Sequence, residues 1–439
     1  MTDYERTLAD LPDDWAIATV EDLGSVVSGG TPSREIANFW GGTIPWVTPG
    51  ELTSLNTKTL HLTNESITDE GLRQSGANLL PAGSLLVTTR ASLGYCAINS
   101  VPVTTNQGFK NIVFRQSSNP DFYYHWSRKI SSELKRRASG TTFLEISGSD
   151  FKQIKLPAPP SAEQQKIAQI LDILDTQIQK NAALIAKLEK IKEGLLHDLL
   201  TRGVDQNGQL RPAPDQVPEL YKKSASGLIP KEWEVRQLGT MSEIVSGVTL
   251  GGPQPSSSWP LVAYLRVANV QDGYLYLEQV KFLRVKPADV EKFRLIPGDV
   301  LMNEGGDFDK LGRGTVWEGE IEPCIHQNHV FRVRTFPELL DPYFLAYFSG
   351  SSRGKAYFVK SSKQSTNLAS INSMQLKAFE VPVPPFAEQS AIVDYLRSYK
   401  KRLELEGRNM GKLKAQKTGL MDDLLTGHVR VTPLLKDAV

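Results

Sequence analysis

The sequence has few cysteines, no long apolar run and almost no net charge, and each shortage excludes a class of protein. Cys96 and Cys324 are the only cysteines among 439 residues, too few for a disulfide framework, which indicates a reducing compartment. No apolar run approaches the length of a membrane span. The first residues, Met1 to Trp15, are acidic and lack the apolar segment of a signal peptide. These features predict a cytoplasmic protein.

The charge balance limits how the protein could bind a polyanion. Its formal net charge is +1, so no global basic field is available to attract nucleic acid. Any nucleic-acid surface must therefore be local, formed by basic side chains that segregate to one face. The length favours two or three domains rather than a single core.

The clearest feature of the chain is an internal repeat. Residues 157–164 and 382–389 share the pattern Pro-x-Pro-Pro-x-Ala-Glu-Gln, and each is followed by nearly forty proline-free residues that end in Leu-Leu-Thr. Upstream, Pro12–Trp15 and Pro230–Trp233 share a Pro-x-x-Trp opening. A repeat of this length must be recognised before domains are assigned. The chain is therefore a duplicated unit, in which a body precedes a long helix.

Each body has the composition of an α+β domain with short strands. Short β-branched runs separated by glycine- and proline-containing turns predict strands at Leu85–Thr89, Val101–Thr105, Asn111–Phe114, Val300–Met302, Gly314–Trp317 and His329–Val333. Helices capped by an aspartate are predicted at Asp121–Arg137 and Asp341–Phe348. The predicted organisation is a first body (1–155), a first long helix (156–202), a linker (203–229), a second body (230–380), a second long helix (381–427) and a tail (428–439).

The two long helices carry a heptad-like apolar seam. The seam residues recur in alternating steps of four and three, which is typical of a coiled coil. The predicted seam residues are Ile167, Leu171, Leu174, Ile178, Leu188, Leu195, Ile392, Leu396, Leu403, Leu413 and Leu420. Polar residues interrupt both seams at matching places, Asn181 and Glu406, then Lys192 and Lys417. We expect the helices, each about 60 Å long, to pair antiparallel with a body at each end and an approximate two-fold axis between the repeats.

Catalytic motifs are weak in this sequence. Asp121, Glu133 and Lys135 match a loose nuclease pattern that would need Mg²⁺, but such short motifs recur by chance, a turn and N-cap before a helix explain them better, and the second body has no equivalent Glu-x-Lys. Cys324, His326 and His329 lack the spacing of a structural zinc site, so we predict no metal there. No nucleophile and base stand at a recognisable spacing. The chain is therefore predicted to be non-catalytic, with a stand-alone nuclease as one alternative.

Local basic and polar clusters are more informative, because lysine and arginine grip phosphates while arginine, glutamine and asparagine read base edges. The clusters occur in both bodies, within predicted loops and after the predicted helices. The candidate DNA-binding residues are Arg90, Gln107, Lys129, Lys135, Arg136, Arg137, Thr141, Thr142, Lys310, Arg313, Gln327, Arg353, Lys360, Lys363, Gln364 and Asn367. For any single residue, a solvated surface position is an equally good interpretation.

The repeated motifs resemble the specificity subunit of type I restriction-modification enzymes. Residues 27–33 (Val-Ser-Gly-Gly-Thr-Pro-Ser) and 105–109 (Thr-Asn-Gln-Gly-Phe) are similar to recurring phrases of that family, and the resemblance covers essentially the whole chain. It implies two target recognition domains that each read half of a bipartite, asymmetric DNA sequence, separated by helices that dock two methyltransferase subunits. Restriction (translocase) subunits would join for cleavage. S-adenosylmethionine, ATP and Mg²⁺ would belong to those partners, with no cofactor in this chain.

Two further expectations follow from the repeat. The second copy has His326-Gln327-Asn328 at the place where the first copy has Asn106-Gln107-Gly108. The first long helix also has apolar residues beyond its seam, which predict a face that a partner protein covers. These residues are Ile170, Ile173, Leu184, Ile191, Leu196 and Leu200. A coiled-coil scaffold that does not bind DNA remains the other alternative.

Overall fold

The computed structural model describes residues 2–127, 129–139, 144–225, 227–249, 256–306, 311–364 and 369–436, with the side chains of Gln364 and Lys436 left aside. The chain forms two compact units. The first unit comprises Met1–Ala183 with Arg408–Val439, and the second comprises Leu184–Gly407. Each unit therefore holds one body together with the beginning of one long helix and the end of the other. No helix in the described ranges is both long and apolar enough to cross a membrane.

The first unit contains short helices and short strands. The helices are α1 (Asp3–Ala9), α2 (Val20–Leu23), α3 (Pro49–Ser54), α4 (Asp69–Arg73), α5 (Pro120–Ser127), α6 (Ser131–Arg137) and α7 (Gly148–Lys152). The strands are β1 (Ala16–Thr19), β2 (Gly24–Ser28), β3 (Trp40–Val47), β4 (Thr59–Leu60), β5 (Glu65–Ile67), β6 (Leu85–Val87), β7 (Cys96–Asn99), β8 (Thr104–Thr105), β9 (Lys110–Phe114) and β10 (Lys155–Ala158). The long helix α8 (Ser161–Thr201) follows.

Three sheets organise the first unit. The largest has the strand order β2-β9-β6-β7-β4, a second has the order β5-β3-β8, and β1 pairs with β10. The pairs β3–β8 and β4–β7 are parallel, whereas the other pairs are antiparallel. Buried aromatic side chains of α5, including Phe122 and Trp126, pack with Trp15 and with Ile167 of α8 in one core. This shared core fixes the body on the start of the first long helix.

The second unit repeats this plan. Its strands are β11 (Tyr221–Ser224), β12 (Gly227–Pro230), β13 (Glu234–Gln237), β14 (Ser242–Ser246), β15 (Leu261–Leu265), β16 (Lys281–Arg284), β17 (Val300–Asn303), β18 (Gly305–Gly306), β19 (Gly314–Val316), β20 (Cys324–His326), β21 (Val330–Thr335), β22 (Lys363–Gln364), β23 (Ala369–Ser370) and β24 (Glu380–Val383). Its helices are α9 (Pro287–Phe293), α10 (Pro342–Gly350), α11 (Ser352–Ser361) and α12 (Ser373–Lys377). The chain continues through α13 (Phe386–Leu425) and α14 (Thr432–Lys436).

The sheets of the two units correspond in strand order. In the second unit the orders are β14-β21-β17-β19 and β16-β15-β20, and β13 pairs with β24. These match β2-β9-β6-β7, β5-β3-β8 and β1-β10 of the first unit. The second unit adds the hairpin β11-β12 and the small sheet β18-β23-β22. The predicted α+β repeat is confirmed.

The long helices pair antiparallel, as predicted. In the first unit, Ile167 and Leu171 at the start of α8 share a core with Leu424 and Leu425 at the end of α13. In the second unit, the end of α8 and the start of α13 meet in the same way, through Leu199 and Leu200 with Ile392, Val393 and Leu396. The start of each long helix thus lies beside the end of the other.

The predicted seam is the covered side of both helices. Ile167, Leu171, Leu188, Ile392 and Leu396 are buried. The remaining seam positions are half-buried, namely Leu174, Ile178, Leu195, Leu403, Leu413 and Leu420. At the matching polar breaks the repeats differ, because Lys417 is buried while Lys192 is exposed.

One predicted helix is wrong in its length and its cap. The segment Asp121–Arg137 is two helices, α5 and α6, rather than one. The side chain of Asn119, not that of Asp121, accepts a hydrogen bond from the Phe122 backbone N–H at 3.1 Å. Asp121 instead pairs with Lys58. In the second unit Asp341 does cap its helix, accepting from Tyr343 and Phe344.

Candidate nucleic-acid interface

Three segments of the first unit converge on one surface. The loop after β6 carries Arg90, whose backbone forms a bridge with Glu145, and Glu145 in turn bridges Ser139. The Thr89 N–H donates to the carbonyl of Gly108 at 2.8 Å, which brings in the loop that carries Gln107. The Arg90 Nε lies 3.6 Å from a carboxylate oxygen of Glu145. Arg90 and Gln107, predicted independently, therefore belong to neighbouring loops.

The second unit brings the equivalent segments together. Strand β18, which follows β17, pairs with β23, and β23 pairs with β22. The Glu304 N–H donates to the His329 carbonyl at 3.0 Å, which adds the loop after β20. A Cβ on Gly305 would lie 2.6 Å from the carbonyl oxygen of Ala369, so this close strand pairing requires glycine. Lys363 of β22 and Gln327 after β20 belong to these segments.

The register predicted between the two loops is wrong by one residue. Asn106 donates its N–H to Val47, and its carbonyl accepts from Phe109. In the second unit the residue with the same pattern is Gln327, which donates to Leu265 and accepts from Val330. Gln327 is therefore equivalent to Asn106, not to Gln107. The sequence comparison failed because both loops contain adjacent amides, so either register matches amide to amide.

Several candidates have structural partners instead of an open surface. The buried carboxylate of Glu133 is paired with Arg136 at 2.7 Å and with Arg137 at 2.5 Å. The Arg136 guanidinium keeps the pKa of Glu133 below its usual range. Lys129 pairs with Asp422 at 2.5 Å. Much of this basic cluster therefore neutralises acidic groups of its own unit.

The remaining candidates are dispersed. Arg353 donates to the carbonyl of Leu228 at 3.1 Å, and Arg313 lies 3.5 Å from the side-chain oxygen of Gln271. Lys135 and Lys360 are exposed on α6 and α11. Thr141, Thr142, Lys310 and Asn367 lie outside the described residues, as does the side chain of Gln364.

The residues of the nuclease alternative have other partners. Asp121 lies 2.5 Å from the Lys58 ammonium, whereas Glu133 is enclosed by Arg136 and Arg137. A Mg²⁺ site would need those carboxylates free and adjacent to Lys135. The contacts therefore favour the structural interpretation of this motif.

His326 and His329 of the second unit also have protein partners. The His326 Nδ1 lies 2.6 Å from the Val330 carbonyl, and the His329 Nδ1 lies 2.7 Å from Glu304. Burial raises the pKa of the Cys324 thiol to about 12. A neutral, buried thiol is a poor metal ligand, since metals take the thiolate.

An ionic cluster joins the first body to both long helices within the first unit. Its members are Lys58, Asp121, His125, Asp172, Asp175 and Lys417. Lys58 lies 2.7 Å from Asp172, whose other oxygen lies 2.8 Å from the buried His125 Nε2. Lys417 of α13 pairs with Asp175 of α8. Burial lowers the pKa of His125, which favours its neutral form.

Ligand-type atoms of His125, Asp172 and Asp175 lie within 4.8 Å of one another, a spacing that a metal ion could bridge. Two lysine ammonium groups, however, already neutralise both carboxylates. A cation would have to displace these lysines against their charge. The cluster is therefore best described as an ion-pair network that anchors the helices.

The second unit has the opposite charges at the repeated positions. Arg397 and Lys400 of α13 occupy the places that Asp172 and Asp175 occupy in α8. The Arg397 guanidinium lies 4.3 Å from the ring centroid of Tyr343 and 3.7 Å from Glu318. The body thus supplies the anion and the helix supplies the cation, the reverse of the first unit.

A buried acidic junction fixes the start of α13. The Glu388 carboxylate pairs with Arg211 and accepts a hydrogen bond from the Trp233 indole at 3.2 Å and from the Val204 N–H at 3.0 Å. Arg211 follows the end of α8 and also pairs with Glu232 at 2.9 Å. We call this set the second latch.

The first unit has an equivalent junction, the first latch. Arg430, which follows the end of α13, donates to Glu163 at 2.6 Å and to Asp14 at 2.7 Å. Its guanidinium also lies 5.8 Å from the Trp15 ring. In the first unit the glutamate of the repeated Ala-Glu-Gln motif and the tryptophan of the Pro-x-x-Trp motif both contact Arg430, whereas in the second unit they are joined by a direct hydrogen bond. The repeated motifs thus belong to the same junction in both units.

The glutamine of the same motif holds each body in turn. Gln164 accepts from the Asn119 N–H at 2.8 Å and donates to the Pro159 carbonyl at 2.8 Å. Gln389 accepts from Asp341 at 2.8 Å and donates to Pro384 at 2.9 Å. Each long helix thus begins with a glutamate that binds the other helix's end and a glutamine that binds its own body.

Comparison with known proteins assigns the family. The family model described as type I restriction modification DNA specificity domain matches residues 12–190 and again residues 230–415. The chain belongs to this family. The two matches reproduce the internal repeat, with one specificity domain in each half.

Curated relatives are named as type I specificity subunits. The MjaIX specificity subunit of Methanocaldococcus jannaschii is 35% identical over 250 residues, which cover 56% of each chain. The MjaVIII specificity subunit of the same organism is 28% identical over 97% of this chain and 95% of its own. The chain thus spans about half of the first relative and nearly all of the second.

Solved specificity subunits share the fold. The S subunit from M. genitalium has a TM-score of 0.54 at 16% identity, with 94% of this chain and 98% of that chain covered. The HsdS subunit from Thermoanaerobacter tengcongensis has a TM-score of 0.51 at 16% identity, covering 95% and 98%.

Sequence reasoning missed the arginines that close the latches of this specificity-domain repeat. Arg211 follows Thr201 by a longer connection than the one that joins Thr426 to Arg430, so a fixed offset between the repeats does not align them. A search for an arginine after each Leu-Leu-Thr helix end finds Arg430, but in the first copy it finds Arg202 before Arg211. Lys58 carried no local signal, since its partners lie far along the chain.

Proposed function

We propose that this chain is the DNA-specificity subunit of a type I restriction-modification enzyme and binds a bipartite, asymmetric target, one half through each unit. The observation that carries the proposal is the repeated surface of three converging segments in both units, built on the same strand order. The side chains there differ, with Arg90 and Gln107 in the first unit and Gln327 and Lys363 in the second. Different side chains on a common scaffold suit the reading of two different half-sites.

The chain supplies specificity, and its partners supply catalysis. Two methyltransferase subunits would bring S-adenosylmethionine, and restriction (translocase) subunits would bring ATP and Mg²⁺. The ion pairs that engage Asp121 and Glu133 support this division, since the carboxylates of the nuclease alternative serve the fold. Free cysteines and the proposed binding of DNA also fit a location in the cytoplasm.

An outer face of α8 is the proposed docking surface for a methyltransferase subunit. Ile173 is 52% exposed and Ile191 is 40% exposed, although both are large apolar side chains on a helix. In the first unit a cavity of about 490 Å³ lies beside Ile173, lined also by Gln165, Gln169 and Thr176. Exposed apolar residues beside polar groups are typical of protein interfaces.

The structure narrows the predicted apolar face. Leu200 is buried in the core of the second unit, so it is covered without a partner. Ile170, Leu184 and Leu196 are half-buried. Ile173 and Ile191 are therefore the best residues with which to test docking.

Methylome sequencing of a host that carries the chain with its methyltransferase partner tests the proposal. We expect methylation at one bipartite, asymmetric motif that disappears when the gene for this chain is deleted. Methylation of the same motif without the chain would contradict the assignment. Salt-sensitive DNA binding by the purified complex would argue against the scaffold alternative.

A further inference from the structure

Arg34 of the first unit is held in place by two tryptophans and a carboxylate. Its guanidinium carbon lies 3.7 Å from the ring centroid of Trp40 and 4.9 Å from that of Trp46. The two rings meet edge to face, with centroids 5.0 Å apart. Glu65 accepts from Nη1 at 3.1 Å and from Nη2 at 2.6 Å. Together these contacts restrict a side chain that would otherwise sample many rotamers.

The side chain is fixed and yet open to solvent, because 54% of it is exposed. Glu65 accepts one N–H from each terminal nitrogen of the guanidinium. The edge of the guanidinium that carries the Nε–H is therefore not bound by Glu65. That edge can donate two parallel hydrogen bonds to a pair of acceptors. A donor that is ordered before binding loses little conformational entropy when a ligand arrives.

The same tryptophans connect Arg34 to the candidate interface. The Trp40 indole donates to the Ser33 carbonyl and the Trp46 indole donates to the Gly30 carbonyl, each at 3.0 Å. In this loop the Thr31 hydroxyl contacts the Gln107 side chain. Arg34 therefore lies at one end of a loop that hydrogen bonds hold in place. The other end of this loop contacts Gln107, a predicted base-reading residue.

We propose that Arg34 is a DNA-contacting residue of the first unit, and this rests on the function proposed above. Its open edge binds an acceptor pair of DNA, either the O6 and N7 atoms of a guanine or the oxygens of a phosphate. In the second unit a lysine stands in a similar setting, since the Lys286 ammonium lies 5.9 Å from the Trp259 ring. Both units therefore have a cation beside a tryptophan near this sheet, which is β5-β3-β8 in the first unit and β16-β15-β20 in the second. The cation is an arginine in the first unit and a lysine in the second.

Binding of duplexes by the complex of this chain with its methyltransferase subunits tests the proposal. The duplexes carry the target found by methylome sequencing, together with every single-base change in both half-sites. The variants are Arg34→Lys, which keeps the charge but loses the planar fork, and Arg34→Gln, which loses the charge. Arg6→Lys on α1 is the matched control, since Arg6 is an exposed arginine that pairs with a carboxylate of its own helix.

If Arg34 reads a guanine, Arg34→Lys should lose discrimination at one position of one half-site by roughly 5- to 150-fold, with the other half-site unaffected. If it grips a phosphate, Arg34→Gln should weaken binding to all duplexes equally and reduce its salt dependence, while Arg34→Lys stays close to wild type. Wild-type binding of every duplex by both variants would overturn the proposal.

Two controls keep these outcomes separate from other failures. If Arg34→Gln fails to fold, the double variant Arg34→Gln/Glu65→Gln takes the place of the single variant in every comparison, because it also removes the carboxylate that is left unpaired. Wild-type binding by that double variant, together with wild-type binding by Arg34→Lys, would equally overturn the proposal. If the wild-type complex binds none of the duplexes, the proposed function itself is wrong, which is a different result.

Discussion

The two units fix the long helices by the same latch but by opposite charges on the flank. In both latches an arginine beyond the end of one helix pairs with the glutamate near the start of the other. About two and a half turns further along, the first unit uses Asp172 on the helix with Lys58 from the body, and the second uses Arg397 with Glu318. The Arg–Glu pair of the latch is therefore the same in both units, whereas the flank keeps only complementary charges.

Burial explains why the latch is shared. The side chains of Arg211 and Glu388 are 9% and 8% exposed, and that of Glu163 is 1% exposed. A buried charge without its partner is costly, so neither residue can change alone. The side chains of Arg397 and Glu318 are 50% and 57% exposed, and water can replace such partners.

Loss of the second latch should have the largest effect on stability. Glu388→Ala leaves the Arg211 guanidinium, the Trp233 indole and the Val204 N–H without their acceptor. We expect a loss of about 3 to 5 kcal/mol in the free energy of unfolding, measured by denaturant titration. Each arginine keeps a second carboxylate, Glu232 or Asp14, but Glu163→Ala should cost less because Arg430 is 27% exposed whereas Arg211 is 9% exposed.

Glu189→Ala is the matched control for both latch variants, since Glu189 is exposed on α8 and should change stability little. An equal or larger loss in Glu163→Ala would show that burial does not set the difference between the two latches.

Removal of the flanking ion pairs should lower the free energy of unfolding by different amounts in the two units. Asp172→Ala removes the hydrogen-bond partner of the buried His125 and one of the two carboxylates that pair with Lys58, so we expect a loss of about 2 to 3 kcal/mol. Arg397→Ala removes a half-exposed cation and should cost less than about 1 kcal/mol. Denaturant titration of both variants measures this difference, and similar losses would show that the two flanks are energetically equivalent.

Sequence reasoning found the local patterns of the chain but missed these contacts between distant residues. The seam residues were predictable because apolar periodicity is local, and Ile167 and Ile392 are buried as expected. The loop positions of Arg90 and Gln107 were also predictable, because turn signals flank them, and their contact with DNA stays a prediction. The latch arginines and the Lys58–Asp172 pair were not, because they join residues that are distant in the chain. The ion pairs of Arg136 and Arg137 with Glu133 were not predictable either, because the burial of Glu133 depends on its surroundings, and contact of these arginines with DNA stays a prediction.

Acid should weaken the second unit through His326, by an amount comparable with the loss of the first flank. Burial lowers the pKa of His326 to about 4, below its usual value near 6.5. The unfolded chain therefore binds a proton that the folded chain refuses, so this stabilisation is complete above about pH 6.5 and is lost as the pH falls toward 4. Linkage gives a loss of about 3 kcal/mol at most. In the first unit Thr105, which cannot titrate in this range, occupies the equivalent position.

Denaturant titrations of the wild type and His326→Gln between pH 7 and pH 4.5 measure this effect. The variant should be less sensitive to acid than the wild type. His125 of the first unit, whose pKa burial also lowers, remains in both proteins and contributes equally to both curves. Parallel pH curves would show that His326 does not carry the acid sensitivity of the second unit.

The smallest effect on stability is expected on the outer face of α8, where the consequence should be for assembly. Ile173→Glu changes a side chain that is 52% exposed, so the free energy of unfolding should change by less than about 0.5 kcal/mol. The charge would have to be desolvated against an apolar partner surface, and co-purification with the methyltransferase subunit should be lost or strongly reduced.

The matched control is Ser398→Glu, at the position of α13 that repeats Ile173 of α8 and is likewise exposed. A serine offers no apolar surface, so its replacement should leave a partner bound to α8 in place. Loss of the subunit from Ile173→Glu but not from Ser398→Glu would show that docking depends on the apolar face of the first long helix. Retention of full co-purification by Ile173→Glu would exclude this residue from the interface, and an equal loss in both variants would show that the repeated faces dock partners alike.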